Sequence, residues 1–151
     1  MKLAEALQER ADLNKKIAEL RRRLENCLLV QDGEEPAEDP NLLLVELNGS
    51  VERLERLMAD INLTNCQTVV NGMTLTELIA KKDALSIKVA AYKDFVYTIG
   101  GGTDRARGTE IKIKSVLKAS ELQKLVDKLA KEIRLLDNRL QQTNWETDLL
   151  E

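Results

Sequence analysis

The sequence predicts an all-α fold: an antiparallel bundle of four long helices with a short β-hairpin and one additional short strand. Two observations carry this expectation. Aliphatic residues recur at steps of three and four along four separate stretches, the spacing of one helix face. Both prolines, and every glycine except Gly49, lie between those stretches or at their ends. Four helices of about 24–28 residues would each be about 36–42 Å long, and shortish connections between similar lengths favour antiparallel neighbours.

The first stretch places Leu3, Ala6, Leu13, Ile17, Leu20, Leu24 and Cys27 on one stripe, with Arg10 filling a slot, and predicts a helix over about 2–29. Arg21, Arg22 and Arg23 fall off that stripe. Residues 31–40 break the period, with Asp32, Glu34, Glu35, Glu38 and Asp39 set around Gly33, Pro36 and Pro40. Such a composition builds no core. Asp39 followed by Pro40 is a helix start, a side-chain cap and then proline at the first helical position.

The second helix, about 41–64, reads Leu44, Leu47, Val51, Leu54, Met58, Ile61. Asn48-Gly49 lies inside it, but Leu47 and Val51 stay in register across the pair, so one continuous helix is expected. Asn71-Gly72 is different: Thr68, Val69 and Val70 precede it and Met73 and Thr74 follow, which suits a type I′ hairpin. Thr74 and Glu77 then form a capping box.

Helix 3, about 75–99, carries two apolar rows. Leu78, Leu85, Val89, Tyr92, Val96 and Ile99 form one; Ala80, Ala84, Ile87, Ala91 and Phe95 form the other. A helix that wide is covered on two sides. Residues 100–117 hold a glycine-rich loop and then Glu110, Ile111, Lys112, Ile113 and Lys114, whose alternation predicts a short strand. Helix 4, about 118–144, places Leu122, Val126, Leu129, Ile133, Leu136 and Leu140 on its stripe. The whole chain, 1–151, reads as a single helical domain.

Composition removes whole classes of chemistry. With 23 Lys and Arg against 26 Asp and Glu, the net charge of −3 predicts neither a nucleic-acid nor an acidic-lipid partner. There is no histidine, which eliminates Ser–His and Cys–His nucleophile pairs and histidine-containing zinc sites. Cys27 and Cys66 sit at opposite ends of an antiparallel pair, on the order of 35 Å apart, too far for a disulfide. No 18-residue apolar run exists for a membrane span, and charges interrupt the opening thirty residues where a signal peptide would stand. The expectation is a cytoplasmic protein with no membrane partner.

Three constellations invite a chemical reading, and each has a plainer one. The acidic loop lacks the spacing of an EF-hand and reads as a solvated or docked loop. The glycine-rich segment, with Arg105 and Arg107, has neither a Walker A nor a dinucleotide pattern and follows a helix, not a strand. The Arg21–Arg23 cluster is interrupted by Glu19 and Glu25 and holds no stacking aromatic. No catalytic residue, cofactor or metal is nominated, and the protein is expected not to be an enzyme.

Several segments carry a resemblance: Met1 to Leu7, the loop from Gly33 to Pro40, Glu110-Ile111-Lys112, and the ending Asn144-Trp145-Glu146-Thr147-Asp148-Leu149-Leu150-Glu151. Together they resemble the bacterial septicolysin-like family, which implies a helical, oligomeric cytoplasmic protein with no established activity. The family label also implies an oxygen-labile cytolysin.

Three functions follow in order of preference: a non-enzymatic homo-oligomer with a structural or interaction role, an anion- or ligand-binding protein using the basic 105–118 segment, and a membrane-active toxin. The expected interface comprises Ile87, Ala91 and Phe95 together with Glu110, Ile111, Lys112 and Ile113. There a two-fold strand pairing about Ile111 would give a dimer or a hexamer. The acids Glu34, Glu35, Glu38 and Asp39 are expected to meet Arg105, Arg107, Lys112 and Lys114.

Overall fold

A computed structural model describes residues 1–101 and 111–151. Among them the elements run α1 (Leu3–Cys27), α2 (Pro40–Gln67), β1 (Val69–Val70), β2 (Met73–Thr74), α3 (Leu75–Gly100) and α4 (Ala119–Glu146). This is a mostly helical chain with one small antiparallel hairpin. Its contacts fall into two units, Met1–Val69 with Thr143–Glu151, and Val70–Gln142, where the sequence reads as one domain.

In the first unit α1 buries the stripe expected of it: Leu3, Ala6, Leu20, Leu24 and Cys27 are buried, and Leu13 and Ile17 are partly covered. Leu20, Leu24 and Cys27 pack with Leu43 and Leu47 of α2. The two helices run antiparallel, and ion pairs mark the register. As the α1 partner climbs from Glu9 to Lys16 to Arg23, the other descends from Arg53 to Glu46 to Glu38. Seven-residue steps keep the α1 partners on one edge of that helix.

The buried row of α2 differs from the one read in the sequence. Leu43, Ser50, Leu57, Ile61 and Thr64 are buried, whereas Leu44, Val51 and Met58 are exposed. Ile61 belongs to both rows, and Leu47 and Leu54 are partly covered. Two buried positions carry hydroxyls, which hid them from an apolar pattern. Each hydroxyl is matched within its own helix: Ser50 Oγ donates to the Glu46 carbonyl (2.8 Å) and Thr64 Oγ1 to the Asp60 carbonyl (2.7 Å). A hydroxyl so paired can be buried without an unsatisfied polar group.

Helix starts and turns follow local chemistry. Asp39 accepts from the Asn41 N–H at 2.9 Å ahead of Pro40. Gly49 lies within α2 with open space where a Cβ would stand. Asn71 (φ 52°) and Gly72 (φ 83°) form the hairpin turn, the left-handed pair that a type I′ turn requires. The capping box is complete: Thr74 Oγ1 accepts from the Glu77 N–H (3.2 Å) and Glu77 accepts from the Thr74 N–H (2.7 Å).

The tail after α4 pairs with the beginning of the chain. Leu3 N–H donates to Thr147 and Leu149 N–H to Met1, both at 2.9 Å, across an antiparallel bridge between Lys2 and Asp148. Leu149 is buried, and Leu150 N–H donates to Thr64 Oγ1 at 2.9 Å.

In the second unit Val89, Val126 and Leu129 form a core with Leu85, Tyr92 and Ile133 around it. Lys82–Asp137 and Lys81–Glu132 tie α3 to α4. The additional strand expected over residues 110–116 is not formed among the described residues: a single bridge at Lys112 aside, 111–118 is irregular. After it, the Ser115 hydroxyl bonds both the N–H and the carbonyl of Leu117, turning the backbone locally over 115–117.

Candidate interaction surface

α3 presents two faces. The inner one carries Leu78 and Val89, which are buried, and Leu85, Tyr92 and Val96, which are partly covered. The outer row is the second row of the sequence pattern. Ala80, Ala84, Ile87 and Phe95 are exposed and Ala91 is partly covered. Ile87 is 73% accessible, an unusual value for an isoleucine in the middle of a helix. Phe95 packs beside Tyr92, with ring centroids 6.1 Å apart. Lys88 Nζ lies 5.8 Å above the Tyr92 ring, within cation–π range.

The apolar surface continues past the end of α3. Thr98, Ile99, Ile113, Lys114, Ser115 and Val116 line a shallow groove of about 310 Å³, and Phe95 and Leu117 extend it. Val116 is 94% accessible and Tyr97 86%. Ile111 and Ile113 are exposed, and the residues expected at an interface, Ile87, Ala91, Phe95, Ile111, Lys112 and Ile113, all belong to the second unit. Glu110 lies outside the described residues. Among the described residues about Ile111 the extended pairing amounts to the single bridge at Lys112.

The charged contact expected between loop and basic segment divides differently. Glu38 pairs with Arg23 of α1, its Oε2 accepting from Arg23 Nε at 3.0 Å, and Asp39 caps α2. Both are therefore engaged within the first unit. Glu34 and Glu35 are exposed, as are Lys112 and Lys114; Arg105 and Arg107 lie outside the described residues.

Electrostatics concentrate on the first unit's ion pairs. Hydrogen bonding from Arg53 holds the Glu9 carboxyl below its usual value, and Arg23 does the same for Glu38. Lys16 lowers Glu46 in the same way, and Lys2 lowers Asp148. Each is a carboxylate stabilised by a neighbouring cation, the ordinary structural cause of such a shift. Among the described residues no three His, Cys, Asp or Glu side chains converge as metal ligands, and no helix is long and apolar enough to cross a membrane.

Residues 10–149 match a family described as a family of unknown function, DUF6847. The chain is also similar to the crystal structure of a functionally unknown conserved protein from Corynebacterium diphtheriae. The two are 38% identical, 99% of each chain is covered, and the TM-score is 0.91. A search of curated proteins found no match. These findings correct the septicolysin-like resemblance: the match to a family and the match to a structure both lead elsewhere, and neither carries that label.

Proposed function

The chain belongs to the DUF6847 family of unknown function, and from that premise we propose that it is a non-enzymatic homo-oligomer with a structural or protein-interaction role. The contact face is the outer row of α3 with the apolar segment 111–117. The observation that carries this reading is Phe95, Val116 and Leu117, which line one groove, standing exposed with Ile87 in the same unit. Contiguous apolar surface of this kind marks interaction sites.

We place the assembly in the cytoplasm, since Cys27 and Cys66 are not bridged to each other, as suits a reducing compartment.

Light scattering at micromolar concentration tests the proposal. The expected mass is a multiple of the chain's, a dimer or hexamer. Ile87→Glu is expected to return it to a single chain with unchanged helical circular dichroism. A wild-type mass of one chain would sink the reading.

A further inference from the structure

The outer face of α3 is bordered by charge, and its two borders are opposite in sign. With 3.6 residues per turn, Ile87 and Ala91 fall along the middle of the face. Asp83 stands on one border and Lys81 and Lys88 on the other; Asp94, seven residues after Ile87, lies nearer the middle of the face, and Glu77 lies at the N-terminal end of the lysine side. All five charged residues are exposed. Lys81 also reaches Glu132 at 3.4 Å, and Lys88 leans over Tyr92, which fixes both lysines on the same side as Phe95.

We infer that the occupant of this face is a second copy of the chain lying parallel to the first, α3 beside α3, with Asp83 of each copy opposite Lys88 of the other. This rests on the oligomeric reading above and adds the partner's orientation to it. Two symmetric arrangements can bring the face against itself. A two-fold axis along the helices carries each border onto the opposite one, so Asp83 meets Lys88. A two-fold axis across the helices keeps each border on its own side, so the Asp83 border meets its own copy and the lysine border its own copy in every register. Charges flanking a helical seam set orientation in this way, and like charges held opposite each other disfavour the arrangement that creates them. Spacing agrees as well. Asp83 and Lys88 are five residues apart, the offset at which the flanking positions of two parallel helices face each other across the seam. A face complementary to its own copy argues for a second copy over an unrelated partner.

Charge exchange tests the orientation. In low salt, Asp83→Lys is expected to weaken self-association about tenfold, since it sets lysine against Lys88 at two symmetric contacts. Adding Lys88→Asp to the same chain is expected to restore wild-type affinity by exchanging the borders. With Cys66 replaced by Ser, Ala84→Cys is expected to form a disulfide-linked dimer under mild oxidant, because equivalent positions meet across a parallel seam. An Asp83→Lys dimer as tight as wild type overturns the orientation while leaving the oligomer standing. So does cross-linking that requires Ala84→Cys and Ala91→Cys together. A wild-type chain that stays single at about 100 μM overturns the oligomeric reading itself.

Discussion

α1 and α3 are helices of similar length, and they solve opposite problems. α1 has one narrow apolar stripe, and α2 covers it within the same unit. Its flanks then carry the charges that fix register, with Glu9, Lys16 and Arg23 each meeting an opposite charge. α3 has apolar residues on two faces, and only one is covered by the second unit's own core. Its outer face shows the same design, apolar middle and charged borders, without a neighbour across the border from Asp83 in the cores described. Around the internal α1–α2 contact the charged border is paired; on α3 the lysine border is engaged within the unit through Lys81 and Glu132, and the Asp83 border is the one we propose a second copy meets.

The sharpest way to break this comparison is to make one kind of truncation on each helix. Leu20 is 1% accessible and lies in the α1–α2 core. Leu20→Ala is expected to destabilise the fold by about 2–5 kcal/mol. Ile87→Ala, made on the exposed face, is expected to change the stability of the dissociated chain by less than about 0.5 kcal/mol. Urea unfolding of dilute protein measures both. Equal losses would mean that the outer row of α3 is already supporting the single chain, and the distinction drawn above would fail.

The middle-sized effect concerns the place where the chain's two ends meet. Thr64 is fully buried, and its hydroxyl both donates to Asp60 and accepts from Leu150. Thr64→Val keeps the volume and removes the acceptor, so the Leu150 N–H loses its partner. A cost of about 1–2 kcal/mol is expected, in the range of one unsatisfied buried group. Hydrogen exchange locates the effect: the Leu149 and Leu150 amides should lose protection while those of α3 keep theirs. Unchanged tail protection would show that Leu149 burial alone holds the tail.

What was legible in the sequence follows from how each element holds itself. α1 is legible because its buried positions are apolar and evenly spaced. The hairpin turn and both helix starts are legible because Asn71-Gly72, Asp39-Pro40 and Thr74/Glu77 act locally. α2 is shifted because burial at Ser50 and Thr64 depends on hydroxyls bonding backward along the helix, which no hydrophobic period records. The 110–116 strand was read from alternation alone, and alternation specifies a strand only where an edge receives it. The clasp between Lys2 and Asp148 involves two short pieces at opposite ends of the chain and leaves no periodic trace. For the candidate surface, the double row of α3 was visible, since Ala80, Ala84, Ile87, Ala91 and Phe95 share a face by spacing alone. Which row the chain covers itself depends on α4, and that required the structure.

The smallest effect sharpens the ionic half of the comparison. Glu9 accepts two hydrogen bonds from Arg53, at 2.7 and 2.9 Å, and neither side chain is deeply buried. A partly exposed pair of this kind contributes about 0.2–1 kcal/mol, so Glu9→Gln should cost less than either change above. The sign with pH follows from Arg53 holding the Glu9 carboxyl below its ordinary value of 4.5. A carboxyl depressed in the folded state binds fewer protons there than in the unfolded chain. Its stabilising contribution is therefore complete above pH 4.5 and is lost as pH falls through the lower folded value. Glu38 and Glu46 are shifted in the same direction by Arg23 and Lys16, so their contributions fade over the same acidic range. Thermal melts from pH 7 down to pH 3 should show wild type and Glu9→Gln converging as the pH drops. At 1 M salt the gap at pH 7 should narrow, because ions screen exposed pairs over about 3 Å. A gap that stays constant from pH 7 to pH 3 would mean that Glu9 stabilises α1 through packing and not through its charge, and the ion pairs would then mark the register of α1 and α2 without helping to hold it.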